Sequence, residues 1–399
     1  MPEHDTSATE AQRQRAVDSL GLVPGLQHPR LDRITRLARL GLGVPMAAVT
    51  VLDHDQAWFP STQGLSAAPV ARTETFCAVT IDRDDTMVVR DTAAVPRFAD
   101  LDVVRHGGVR FYLGRTLRDP AGTPVATFCV FDTAPRDVDD DEMEMFEDLA
   151  AWAERELVAS TEMSQARRVQ ASLLPSAPVR VGGWEAAGVC MPALAVGGDF
   201  YDYTVTDDVL HLSLGDVMGK GTGAALIGAG ARTALRGTDA AVAAGVDLGI
   251  TVTQVARNLL PDLEAAESFL TLFELALDAR TGMVRYVDAG SGLALLVRAG
   301  GAVERLDGED RPLGVLPDDH WSEHERSLEA GDRLLVFSDG LLDLVPDPQR
   351  WWEPIAAIVA GADDLAGCLA AITRLATEET PLDDITAVAV FGSALDAAG

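Results

Sequence analysis

The stretch VGGDFYDYTVTDDVLHLSLGDV, Val196–Val217, decides how the second half of this chain folds. Two runs of alternating character flank Asp207-Asp208, the pattern of a β-hairpin closed by a tight turn. A two-residue loop there pairs positions symmetric about it and places Asp199 directly opposite Asp216. Side chains alternate along a strand, so both aspartates share a face with Leu210, Leu212 and Leu214 and with Tyr201, Tyr203 and Val205. That is the apolar face, the one expected to point into the core. Two like charges opposed across a hairpin are destabilising, and burying them is worse. A divalent cation between them reverses that sign. A one-residue register slip would instead turn one aspartate to solvent, and the pattern alone leaves that alternative open.

Acidic residues recur at strand ends nearby. LLVFSDG (Leu334–Gly340) is an apolar run ending in Asp339-Gly340, and PLDDIT (Pro381–Thr386) sets Asp383 and Asp384 at the start of another. Either one alone reads as a turn signal. Several in one domain, without a His or Cys cluster, are the donor set of hard cations such as Mg²⁺ or Mn²⁺.

Working outward, the 399 residues suffice for two domains of ordinary size. A formal net charge of −30 argues against a nucleic-acid surface and against binding to anionic membranes. The cysteines, Cys77, Cys129, Cys190 and Cys368, are far apart in sequence. Neither a disulfide framework nor a zinc site is expected, and a reducing cytoplasm fits. No apolar signal-peptide core and no membrane-length apolar run is present.

Residues 1–20 are polar and read as disordered, most plainly up to Val17. Residues 21–158 read as a mixed α/β domain, with a helix from Leu31 to Leu40 and strands at 47–52, 86–89 and 125–131. A long helix is expected from about Asp139, where Asp139 to Glu142 favour an N-terminus. Its stripe of Met143, Phe146, Leu149, Ala153 and Leu157 continues through a linker at 159–175. Two readings are open: one continuous helix, or two with a break near Ser160-Thr161. The stripe suggests self-pairing in a homodimer, the alternative being a passive spacer on a monomer. Residues 176–395 form the last domain, with helices at 223–236, 248–260 and 352–379 among strands. The fold class is α+β.

In order, GGDFYD (197–202), GDVMGKG (215–221), SDG (338–340) and DDIT (383–386) closely resemble the SpoIIE/RsbU branch of the PPM phosphatases. QASLLP (170–175) is similar to that branch's entry helix. The resemblance implies a C-terminal α-β-β-α sandwich holding two ions, Mn²⁺ or Mg²⁺. It implies that Asp199 and Asp216 bind or bridge the two metals, that the Val217 carbonyl adds a ligand, and that Asp339 and Asp383 complete the coordination of the second metal, with Asp384 adjoining it as a further metal-site residue. The nucleophile would be metal-bound water, with no protein nucleophile. Gly219 and Gly221 would let backbone approach a phosphate at the following helix N-terminus; Lys220 would contact phosphate or simply be solvated. One departure stands out: Ser291, in DAGSG (288–292), occupies a position where the family usually has His. That bears on substrate docking more than on hydrolysis.

The segments TFCA (75–78), VVRD (88–91), PRF (96–98), VRFY (109–112) and ATFCVFD (126–132) resemble a GAF domain. This implies a sensory module with a small-molecule ligand. Cys77 reads as a small buried hydrophobe rather than a chromophore anchor, and His106 as a loop residue. Together the resemblances imply a GAF-regulated, metal-dependent protein serine/threonine phosphatase in a bacterial signalling pathway, acting on a phosphorylated anti-sigma-factor antagonist. The alternative is a catalytically inactive phosphatase fold that binds and relays.

Overall fold

A computed structural model describes residues 6–345, 347, 349–378 and 382–393. The first five residues of the expected disordered lead, Glu379, Pro381 and the last two residues of the expected final domain lie outside these. The chain divides into two compact units, residues 1–165 and 166–399.

The first unit runs α1 (Thr6–Asp18), α2 (Pro29–Gly41), β1 (Met46–Asp53), β2 (Gln56–Gln63), β3 (Val70–Ala71), α3 (Cys77–Thr80), β4 (Met87–Val89), α4 (Pro96–Ala99), α5 (Asp102–Arg105), β5 (Phe111–Arg118) and β6 (Pro124–Asp132). Its strands form one antiparallel sheet in the order β3-β2-β1-β6-β5-β4. Both faces are covered, which is why β1 and β6 are near-continuous apolar runs with almost no exposed position.

The expected disorder at the N-terminus is corrected. Residues 6–18 are helical, and Ala16, Val17 and Leu20 are buried in the core beneath the sheet. A polar composition hid this because the polar side chains have specific partners. Arg13 donates to the Leu52 carbonyl and pairs with Glu10, and Gln14 donates to Asp53 at 2.7 Å.

The helix α6 (Asp140–Leu173) is continuous over 34 residues, with no break near Ser160. Phe146, Ala150, Ala153 and Leu157 are buried in the same core as α1 and α2. The stripe that suggested self-pairing is therefore packed on the chain's own sheet as far as Leu157.

The second unit contains β7 (Val179–Val181), β8 (Trp184–Met191), β9 (Asp199–Thr206), β10 (Val209–Val217), α7 (Thr222–Arg236), α8 (Asp239–Ala243), α9 (Leu248–Ala265), β11 (Leu270–Asp278), β12 (Met283–Ala289), β13 (Ala294–Val297), β14 (Val303–Arg305), β15 (His324–Ser327), β16 (Arg333–Phe337), α10 (Trp352–Gly361), α11 (Leu365–Glu378) and β17 (Ile385–Gly392). Two antiparallel sheets, β15-β12-β11-β10-β9 and β14-β13-β16-β17-β8-β7, pack face to face. Tyr201, Tyr203, Leu210, Leu212 and Leu214 fill the space between them with Leu334, Val336 and Val388. Helices α7 and α9 cover one outer face and α10 and α11 the other, the expected α-β-β-α sandwich. The stretch read as one helix from Trp352 is two, separated at residues 362–364. No described helix is long and apolar enough to cross a membrane.

Candidate metal centre

The β9–β10 hairpin has the register that its turn demands. Thr206 pairs with Val209 across Asp207-Asp208, and Asp199 faces Asp216. Asp207 takes the left-handed conformation (φ 53°) that a tight hairpin turn needs and that Asp tolerates. Of the two facing carboxylates, Asp199 is 2% exposed and Asp216 is half-buried.

Asp339 follows β16 and opens a short 3₁₀ turn, Asp339–Leu344; Asp383 and Asp384 precede β17, the neighbour of β16 in the sheet. Ser338 ties these two strand ends together. Its amide donates to the Thr386 carbonyl, its hydroxyl donates to the Asp384 carbonyl at 3.1 Å, and the Thr386 amide donates to the same hydroxyl at 2.9 Å.

The carboxylates crowd one another. Burial and the facing Asp216 push Asp199 well above the usual carboxylate range. Burial, then Asp339, push Asp216 up to about 6, and burial with Asp383 raises Asp339. One buried oxygen of Asp199, Oδ2, has no hydrogen-bond partner.

A divalent cation fits these residues: it would occupy the orphaned oxygen and offset the mutual repulsion, and every donor is oxygen. Among the described residues, the only three carboxylate or imidazole groups with ligand atoms within 4.8 Å of one another are Asp18, Asp53 and His54, in the first unit. The described aspartates of the second unit are near enough to raise one another, without three of them converging on one point.

The Val217 carbonyl lies close against Gly198, where a Cβ would come within 2.5 Å of its oxygen. Gly219 (φ 109°) and Gly221 (φ 85°) make the turn into α7 in conformations that only glycine adopts readily. Lys220 is neither free in solvent nor held in the core. Its Nζ pairs with Asp383 at 3.1 Å and donates to the Leu382 carbonyl at 2.6 Å.

Asp384 is set apart from the other acids. It is buried, and its two oxygens accept from the amides of Ala193 and Gly198, each at 2.8 Å. It therefore shapes the loop that delivers Asp199. Ser291 adds only its amide to the contacts here: the Asp288 carboxylate collects the amides of Ser291, Gly292 and Gly308.

Two positioning elements escaped the sequence reading. The Gln170 side chain donates to the Gly197 carbonyl (2.7 Å) and accepts from the Gly197 amide (3.1 Å), clamping the residue two before Asp199. The similarity of QASLLP to an entry helix pointed to the segment but not to this role. The other is an ion-pair cluster of the buried Asp202 and Arg232 with the half-exposed Arg236 on the helix-facing side of β9.

Two sheets flanked by helices, with aspartates gathered at the strand ends, define a PPM-type phosphatase domain. Residues 206–391 match the SpoIIE family (stage II sporulation protein E), and residues 28–157 match the GAF domain family. The chain thus joins a GAF domain to a SpoIIE-type phosphatase domain. Asp199 lies just before the matched span and is brought to it by the hairpin.

The chain is 25% identical to phosphoserine phosphatase RsbU of Bacillus subtilis, over 46% of this chain and 54% of that protein. It is 33% identical to cyclic di-GMP phosphodiesterase PA2567 of Pseudomonas aeruginosa, over 32% of this chain and 22% of that one. Among solved structures, the RsbU and RsbW domains of Rv1364c from Mycobacterium tuberculosis are 28% identical, with a TM-score of 0.48, covering 55% of this chain and 64% of that one. The chain spans less than two thirds of the length of each of these relatives.

Proposed function

We propose that the chain is a metal-dependent protein serine/threonine phosphatase whose substrate is a phosphorylated protein of the anti-sigma-factor antagonist type. The observation that carries this reading is the facing of Asp199 and Asp216, with one buried oxygen left unpartnered. Asp199, Asp216, the Val217 carbonyl, Asp339 and Asp383 would hold two ions, Mn²⁺ or Mg²⁺. When bound, such ions supply Lewis-acid activation of water for in-line attack on phosphorus. The protein's own contribution is placement. The hairpin register fixes the first two carboxylates, Ser338 fixes the strand ends of the others, and Gln170 and Asp384 fix the incoming loop. Gly219 and Gly221 open the approach to the N-terminus of α7, whose amides suit a phosphate. Lys220 stands at the mouth of the site to orient phosphate oxygens.

All the proposed ligand aspartates are present, which favours an enzyme over an inactive relay protein. Similarity to RsbU supports a phosphoprotein substrate, and the free cysteines suit the cytoplasm. The test is hydrolysis of an aryl phosphate and of a phosphoserine protein with Mn²⁺ and with chelator. Turnover unaffected by chelation would overturn the reading.

A further inference from the structure

Two cysteines 52 residues apart in sequence meet inside the GAF domain. Cys77 opens α3, Cys129 lies within β6, and their sulfurs are 3.6 Å apart. Both are free and buried. Sulfurs in a disulfide lie about 2.05 Å apart, so the two need approach by only about 1.5 Å.

Their surroundings differ from those of inert core thiols. The Tyr112 hydroxyl lies 3.1 Å from the Cys129 sulfur and is itself 2.6 Å from the Thr80 hydroxyl. The Cys129 sulfur also reaches the Thr127 hydroxyl at 3.3 Å. The contact with Cys129 holds Cys77 at about 7, below the ordinary thiol range, against the opposing effect of burial. Burial, first, and Cys77 push Cys129 well above it. The two thiols also differ in access, and this decides which meets an entering oxidant first: Cys77, not Cys129, is among the residues that border the adjoining cavity.

Cys77 also lines a cavity of 260 Å³ whose other walls include Phe59, Leu65, Val70, Phe76, Val103 and Phe131. Such a wall disfavours inorganic ions and suits a molecule with a hydrocarbon body.

We propose that Cys77 and Cys129 are a peroxide-reactive dithiol whose oxidant is an alkyl hydroperoxide seated in this cavity. The Cys77 thiolate attacks the distal oxygen of the hydroperoxide. The O–O bond breaks, and the alkoxide leaves, taking up a proton to become the alcohol. Cys77 is then a sulfenic acid. The Cys129 sulfur attacks the Cys77 sulfur, the S–S bond forms, and hydroxide departs with the Cys129 proton as water. In sum, two thiols are oxidised to one disulfide while one hydroperoxide is reduced to one alcohol and one water. Cytoplasmic disulfides of this kind are transient and sensory rather than structural. The proposal concerns the GAF domain and does not depend on the phosphatase reading.

The experiment treats the reduced full-length chain with equimolar cumene hydroperoxide or hydrogen peroxide, then maps cysteines by non-reducing digestion and mass spectrometry. A Cys77–Cys129 linked peptide that dithiothreitol removes is the expected product. Burial of the hydrocarbon body predicts formation at least about tenfold faster with cumene hydroperoxide. Cys129→Ser should stop at a dimedone-trappable sulfenic acid on Cys77, and Cys77→Ser should show no sulfenic acid at Cys129. Oxidation of Cys77 without the link, or no oxidation of Cys77, would overturn the dithiol. Equal rates with the two oxidants would overturn the assignment of an alkyl hydroperoxide to the cavity.

Discussion

Arg236, the last residue of the helix that leaves the glycine turn, makes a two-pronged ion pair with Asp202, three residues beyond Asp199: Nε to Oδ2 at 2.7 Å and Nη2 to Oδ1 at 2.5 Å. The buried Arg232 approaches the same carboxylate at 3.3 Å. Removing Asp202 strands two guanidinium groups, one of them buried. Asp202→Ala should cost roughly 3 kcal/mol in urea unfolding, while Arg236→Ala, at a half-exposed position, should cost nearer 1 kcal/mol. Equal costs for the two would mean that burial does not decide the energetics of this cluster.

The facing aspartates give a prediction of opposite sign. Asp199→Asn removes a buried like-charge contact, so in chelator the variant should be at least as stable as the wild type, by up to roughly 1 kcal/mol. Mn²⁺ at a hundred times its dissociation constant should stabilise the wild type by about 2.7 kcal/mol. The variant should gain far less and lose Mn²⁺-dependent hydrolysis, as should Asp216→Asn. Calorimetry with and without Mn²⁺ decides it. A variant still stabilised like the wild type would remove Asp199 from the metal set.

Asp383 and Asp384 should separate in behaviour. Asp383→Asn should weaken Mn²⁺ binding at least about tenfold and leave unfolding in chelator near normal. Asp384→Asn should lower stability in chelator by about 1–3 kcal/mol, because one amide of Ala193 or Gly198 loses its acceptor. Asp339→Asn should behave like Asp383→Asn. The reverse pattern in titration calorimetry and urea melts would exchange the roles assigned to the pair.

His211 predicts acid sensitivity. It is buried in β10 with both ring nitrogens unpartnered, 3.9 Å from Asp239. Burial, with a smaller push from Arg285, lowers it from 6.5 to about 4. The unfolded chain therefore binds more protons between those values, and this contribution to stability falls as pH falls from about 6.5 to about 4. Its size is roughly 3 kcal/mol. Raised carboxylates elsewhere act in the opposite sense, so the measurement is the difference between wild type and His211→Gln. That difference should shrink between pH 7 and pH 4.5, and a constant difference would show that His211 does not titrate there.

The sequence carried the hairpin because a two-residue turn and strand alternation together fix every pairing around it, including Asp199 with Asp216. It carried the strand-end acids because each sits where a strongly apolar run stops. It did not carry α1, since a helix that buries Arg13 and Gln14 through specific partners looks polar in one dimension. The meeting of Cys77 with Cys129 depends on α3 packing on the sheet, which no local spacing encodes. Gln170 was hidden for a related reason: an amide side chain that reads one backbone unit in both directions leaves no periodic trace.

The neighbours Asp383 and Asp384 send their carboxylates to different places, one half-exposed beside Lys220 and one inward to the loop amides. That division is a matter of parity. Entering β17 one residue early or late would exchange the two directions while leaving both acids in the sequence. Asp383, the proposed ligand, would then point at the loop, and Asp384, the loop's anchor, at solvent. A homologue that keeps the acidic pair but gains or loses a residue in the strand after it would retain every motif letter and still lose the proposed centre. In this fold the spacing between strand and acid carries as much information as the acids themselves.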